Sequence, residues 1–195
     1  MTVPTNFITV FHVMLTDLHL PAPWPKPDGY VPPRADEAIL VWGAASSVGQ
    51  YTLQILRFYG YRNLIATASP ANHQRLRELG ATEVYDYRSP TIVDDILGAH
   101  PSKDGVAPAI PMIIDCIGSV PGSVRHIVKL AQRGSVAALM LPAILKHASQ
   151  DQVPEYAMDF TPLADWAEGV VVRGVRAHFY WRVSAPFALW TSEGD

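Results

Sequence analysis

The sequence predicts an α/β fold, a doubly wound parallel sheet of about six strands with helices on both faces. Two observations carry this. From Ala38 onward, short apolar runs alternate with longer amphipathic stretches, the pattern of strand–helix–strand units in which helices cover a parallel sheet. Glycines also stand where those helices should stop: Gly60 and Gly80 occupy the C-terminal cap position, which favours a residue without a Cβ.

The bulk properties fit one domain and exclude several classes. Of 195 residues, 49% are hydrophobic and 17% charged, enough for a sizeable core. The net charge is -3 and no long run of Lys or Arg occurs, so nucleic acid is not an expected partner. The one cysteine, Cys116, can form neither an internal disulfide nor a thiolate cluster, and no basic-then-apolar leader precedes it; a cytoplasmic, reducing address is expected. No stretch reaches the roughly 18 uninterrupted apolar residues of a membrane helix.

Element by element, Phe7 to Leu18 carries Val10, Val13, Met14 and Leu18 at helical spacing, with Asn6 as N-cap. Seven of the 17 prolines fall in the first 33 residues, so Leu20 to Arg34 should be an extended connector. Residues 1–34 are therefore read as a leading helix and proline-rich linker, and 35–195 as the domain proper. Ala38 to Trp42 is a buried strand ending at Gly43, and Val48, Thr52, Ile55, Leu56 and Tyr59 follow one face of the next helix. Asn63 to Ala68 is the second strand. Ser69-Pro70 opens a helix to Leu79, Glu83 to Tyr87 is the third strand, and Ser89-Pro90 begins a helix through Leu97. His100 to Ala109 is a polar loop, Met112 to Cys116 the fourth strand, Gly122 to Gln132 a helix and Ser135 to Leu141 the fifth strand. Gly169 to Phe179 completes the sheet as the sixth.

The chemistry is expected in the loop between the first strand and the first long helix. A dinucleotide's pyrophosphate needs N–H groups at a helix N-terminus and small residues that let phosphate approach the main chain. Gly43, Ala44, Ala45, Ser46, Ser47 and Gly49, with Val48 between the last two, supply this. Gly43-x-x-Ser46-x-x-Gly49 differs from an all-glycine fingerprint at its middle position, where the Ser46 hydroxyl could donate to a phosphate oxygen. Alone, the motif leaves open a Rossmann-type dinucleotide site and a plain strand-to-helix turn. The second strand's end adds information. An NAD site places a carboxylate about 20 residues beyond the glycines to hold the ribose 2′-hydroxyl. Here no Asp or Glu occurs between Gly49 and Glu78, and Ser69, Asn72, His73 and Arg75 offer donors, which points to the 2′-phosphate of NADP. Ser69 also reads simply as a helix N-cap.

Three blocks, ILVWGAASSVGQYTLQILRFYGY (Ile39 to Tyr61), IATASPANHQRLRELGATEVYDYRSP (Ile65 to Pro90) and IIDCIGS (Ile113 to Ser119), resemble the cofactor domain of the medium-chain dehydrogenase/reductase superfamily. The likeness is to its zinc-independent quinone-reductase and fungal trans-acting enoyl-reductase branch. The resemblance implies NADPH as cofactor, with Ser46 to Gly49 at the pyrophosphate, Ser69 to Asn72 at the 2′-phosphate and Tyr87 near the adenosine phosphate. It implies that Cys116-Ile117-Gly118 and Leu139-Met140 line the nicotinamide side. The expected partner is a small molecule such as a polyketide-type enone. Members of this family begin with a barrel-like catalytic domain that is not in this sequence, so any proton donor from that domain is expected to be absent, and no catalytic residue is assigned.

Other groupings read as structural. One Cys and seven scattered His (12, 19, 73, 100, 126, 147, 178) do not suggest a metal site. Cys116 reads as a small buried hydrophobe and Asp115 as an acceptor for loop N–H groups. Arg125, Lys129, Gln132 and Arg133 read as a solvated helix face. His178 to Trp190 packs six aromatics, counting His178, into 13 residues, a candidate surface for a homodimer or a partner. Three functions follow: an NADP-dependent enoyl or quinone reductase; a non-redox member of the fold, such as a pseudoenzyme, a synthase partner or a biosynthetic cyclase or dehydratase; or a fragment that binds nucleotide without turnover.

Overall fold

In the computed structural model of the chain, residues 3–102, 106–149 and 151–176 are described. The elements in order are α1 (Val3–His12), β1 (Ile39–Trp42), α2 (Ser47–Tyr59), β2 (Leu64–Thr67), α3 (His73–Glu78), β3 (Glu83–Tyr85), α4 (Ile92–Ala99), β4 (Met112–Asp115), α5 (Arg125–Leu130), β5 (Val136–Met140), β6 (Ala143–Lys146), β7 (Glu155–Ala157) and β8 (Val171–Val175). Six strands form one parallel sheet in the order β3-β2-β1-β4-β5-β8. The chain winds outward from β1 through β2 and β3, then returns to β4 beside β1 and winds the other way. The reversal between β1 and β4, where Trp42 lies opposite Asp115, opens a crevice at the carboxyl ends of those strands.

Both faces of the sheet are buried, which is why its strands are apolar almost throughout. Ile39, Val41, Met112, Ile114 and Ala138 face one side, where they meet Val10 of α1, Leu53 and Leu56 of α2 and Leu76 of α3. Leu40, Trp42, Ile113, Ala137 and Leu139 face the other side, against Ile96 of α4 and Ile127 and Leu130 of α5. Each fully buried Leu or Ile contributes about 1.5–3 kcal/mol relative to exposure.

Several elements differ locally from expectation. The leading helix begins at Val3, and Asn6 lies inside it rather than capping it. Pro4 falls in the first turn, where its missing N–H costs no intrahelical bond. After His12 the helix widens into a π turn, with Leu18 N–H donating to the Val13 carbonyl at 2.9 Å. This segment is part of the main core: Val10, Val13, Met14, Leu18 and Leu20 are all buried there. Ser69 leads into a 3-10 turn, Pro70–Asn72, and the α-helix starts only at His73. The expected Gly122 to Gln132 helix is a π turn, Val120–Val124, followed by the shorter α5. An antiparallel hairpin, β6 with β7, was not expected, and it is tied to the end of β4 by Ile144 N–H to the Gly118 carbonyl at 2.7 Å. The last strand of the sheet is β8, and residues 177–179 of the expected sixth strand lie outside the described residues. Among the described residues no helix is long and apolar enough to cross a membrane.

Candidate functional site

The loop from β1 to α2 is held from both sides of the crevice. The Gly43 N–H donates to Thr67 Oγ1 at 3.0 Å and the Ala44 N–H to the Thr67 carbonyl at 3.0 Å, so the end of β2 fixes the loop's path. Gly43 has φ +73, a conformation that costs a side chain strain, and a Cβ there would run into the Ile117 side chain. A Cβ on Gly49 would lie 2.6 Å from Ala44 Cα, so the first turn of α2 can sit against the strand end only with glycine at that position. These are the two tasks the first and last glycines of a dinucleotide fingerprint perform.

Ser46 caps α2. Its φ of -66 and ψ of 161 are extended, and its hydroxyl accepts the Gly49 N–H at 3.1 Å, which satisfies one of the helix's unpaired donors. The hydroxyl hydrogen is shared between the Cys116 sulfur and any anion at the helix start. The Ser47 and Val48 N–H groups have no hydrogen-bond partner among the described residues. They sit at the positive end of a 13-residue helix, which suits a pyrophosphate. Ala45 is half-buried beside them and holds Gln50 through its carbonyl at 2.9 Å. Asn6 of α1 donates to the Ser47 hydroxyl, so the leading helix touches the loop between β1 and α2 directly. These residues fit a dinucleotide.

Where the sequence predicts the adenosine end, the ends of β2 and β3 lie together through Ala68 N–H to the Tyr85 carbonyl at 3.0 Å. Ser69 Oγ accepts from Asn72 Nδ2 at 3.0 Å rather than capping the turn's N–H groups, and it keeps its own hydrogen to donate. Tyr87 is exposed, with the Arg88 guanidinium 5.8 Å from its ring centroid. Arg88 pairs with Asp86 at 3.0 Å, and that pairing lowers the Asp86 carboxyl below its usual range. Thr67 and Arg88 were not singled out from sequence. Thr67 gave no signal beyond being a threonine at a strand end, whereas Arg88 stood in view one residue after Tyr87.

At the end of β4, where the sequence predicts the nicotinamide side, Asp115 is fully buried and organises the turn. It accepts Ile117 N–H at 2.9 Å and the Ser123 hydroxyl at 2.6 Å, while burial pushes its carboxyl up to about 6. Burial first, then the Asp115 charge, pushes the Cys116 thiol up, which disfavours its thiolate. Ile117 is 40% exposed over Gly43, and Met140 is half-buried at the end of β5. Leu139, expected beside them, instead has no exposed surface and packs into the opposite core with Phe160 and Ala143. Strand alternation is the reason: Met140 and Leu139 point to opposite faces.

A cavity of about 310 Å³, lined by Arg57, Gly60, Tyr61 and Arg62, lies at the far end of α2 from Ser46 and takes no part in this crevice. Among the described residues no group of three His, Cys, Asp or Glu is placed to hold a metal. The 178–190 aromatic segment lies outside the described residues.

Comparison with known proteins extends this geometry. No family profile matches the chain. It is 33% identical over 116 residues to the trans-enoyl reductase himH of Aspergillus japonicus, covering 60% of this chain and 30% of that protein. It is 37% identical over 95 residues to a zinc-type alcohol dehydrogenase-like protein of Schizosaccharomyces pombe, covering 49% of this chain and 26% of the relative. Among solved structures it resembles the CurK enoyl reductase, with a TM-score of 0.62 at 16% identity over 94% of this chain and 46% of that one. It also resembles a putative enoyl reductase domain of a polyketide synthase, with a TM-score of 0.58 at 20% identity over 97% of this chain and 88% of that one. The fold and crevice are those of a Rossmann-type domain. The relatives it is similar to over these stretches include several fungal trans-enoyl reductases. The matched stretch spans under a third of each of those relatives.

Proposed function

We propose that the chain binds NADPH in the crevice between β1 and β4 and serves the reduction of an activated carbon–carbon double bond, as an oxidoreductase of the enoyl or quinone reductase kind. The observation that carries this is the phosphate loop. Gly43 has positive φ, Gly49 has no room for a Cβ, and Ser47 and Val48 present unpartnered N–H groups at a helix N-terminus. The relatives' names favour reduction over the non-redox alternative, and a polyketide-type enone is the substrate class they suggest.

NADPH is favoured over NADH by the chemistry at the end of β2. The Ser69 hydroxyl and Asn72 amide offer donors to an anion, and the stretch between Gly49 and Glu78 carries no carboxylate to repel a 2′-phosphate. Arg88, beside Tyr87, adds a cation at that end. The bound dihydronicotinamide supplies a hydride. The chain's own part is to hold the pyrophosphate at α2, orient the adenosine at Tyr87 and shape the far end with Ile117, Gly118 and Met140. In this proposal residues 35–195 are the cofactor domain and 1–34 its leading segment. The test is oxidation of NADPH by the purified full chain with simple enones, followed by loss of nicotinamide absorbance. Turnover that requires both enone and chain supports the reading. NADPH left intact at high chain concentration opposes it.

A further inference from the structure

Reduction of an enone needs a proton as well as a hydride, and we propose that His147, anchored by Ser119, supplies it; this rests on the reductase reading above. Ser119 directly follows the Cys116-Ile117-Gly118 turn that closes the crevice at the end of β4, and its Oγ lies 2.8 Å from His147 Nε2. The juxtaposition is built. β6 runs alongside the end of β4 through Ile144 N–H to the Gly118 carbonyl, Ser119 and Ile144 are bridge partners, and the Lys146–Glu155 ion pair at 3.3 Å ties β6 to β7. His147 is the residue after β6, so the hairpin carries an imidazole back to the turn that follows the fourth strand.

The two residues have different exposures, and this separates their roles. Ser119 is 1% exposed and out of reach of an electrophile, which excludes it as a nucleophile. His147 is exposed, and among the described residues Nδ1 has no hydrogen-bond partner. A hydroxyl both donates and accepts, so Ser119 can accept from the imidazolium and donate to the neutral ring; the contact survives a change of protonation. Ser119 is thus a positioning residue, and His147 is the group that meets the substrate.

The step balances. A hydride arriving at the β-carbon moves the double-bond pair toward the carbonyl oxygen as an enolate. The α-carbon then takes the proton from His147 imidazolium, forming one C–H bond as one N–H bond breaks, and the neutral ring recovers a proton from water. The dinucleotide is oxidised and the enone reduced.

The test uses the full chain with NADPH and a simple enone, alongside cofactor binding by fluorescence. His147→Gln should lower kcat by roughly 100-fold, within the ordinary range for a general acid, with the Kd for NADPH changed less than about twofold. Added imidazole should restore part of the rate. Ser119→Ala should lower kcat by about tenfold and shift the ¹⁵N resonance of His147 Nε2, a readout that needs no cofactor. A wild-type chain that turns over while His147→Gln matches it overturns the donor role and leaves the reductase reading standing. An unshifted Nε2 resonance in Ser119→Ala overturns the anchoring, and with it the positioned donor. A wild-type chain that neither binds NADPH nor consumes it overturns both readings.

Discussion

Ala44 and Gly49 are packed so closely that a Cβ on Gly49 would lie 2.6 Å from Ala44 Cα and 2.8 Å from its carbonyl oxygen. Both neighbours are backbone, so neither can swing aside. The contact brings the start of α2 to the end of β1 and aims the helix's free N–H groups into the crevice.

Gly49→Ala should therefore disturb the fold and the site together. Overpacking of this kind costs about 1–3 kcal/mol, which for a chain of this size lowers Tm by roughly 2–12 °C. Thermal melts and NADPH titration of the same sample check it, and a variant with unchanged Tm and affinity would show that the approach is looser than described.

Ser69→Asp should weaken NADPH by at least about tenfold while changing NADH much less, because a carboxylate at the end of β2 repels a 2′-phosphate and can accept a 2′-hydroxyl. Paired titrations with the two dinucleotides read this directly. Equal losses for both would remove Ser69 from the 2′-phosphate site.

Ser123→Ala removes the hydroxyl that donates to Asp115 at 2.6 Å and accepts the Ser119 N–H at 3.1 Å. Leaving a buried carboxylate and a buried N–H short of a partner should cost about 1–3 kcal/mol, read by denaturant unfolding. A loss under about 0.5 kcal/mol would show that the turn after β4 does not depend on this bond.

Asp17 gives a pH dependence. Burial pushes its carboxyl up to about 6 against opposing effects of Arg173 and His19, Oδ2 has no hydrogen-bond partner, and His12 Nε2 lies 3.8 Å from that oxygen. The folded chain holds this proton between pH 3.8 and about 6, where the unfolded chain has lost it. Its contribution to stability is therefore fully present below the unfolded value, falls as pH rises through the window, and is lost above about 6. Asp17→Asn should raise Tm by on the order of 3 °C at neutral pH, with the gain shrinking toward pH 4. A gain that is constant across pH, or largest in acid, would contradict the assignment.

The sheet and the glycine-containing turn after β1 were legible because their signals are local. An apolar run from Ala38, glycines at 43 and 49 and capping glycines at 60 and 80 each act within a few residues. What could not be read depended on distant partners or on which face a residue took. Strands buried on both faces carry no polar alternation, so nothing in Ser135 to Leu141 marks Leu139 as pointing away from the crevice and Met140 as staying at it. Asn6 reads as a cap by residue type, yet its partner, Ser47, is 41 positions away. The β6–β7 hairpin depends on Gly118 accepting from Ile144, a pairing no local pattern announces.

The most direct measurement of the central claim is calorimetric titration of the full chain with NADPH, repeated with Gly49→Ala. Saturable one-site binding that Gly49→Ala abolishes or weakens by at least about tenfold is the predicted result. Absence of heat or fluorescence change at millimolar NADPH with a folded wild-type chain would contradict it.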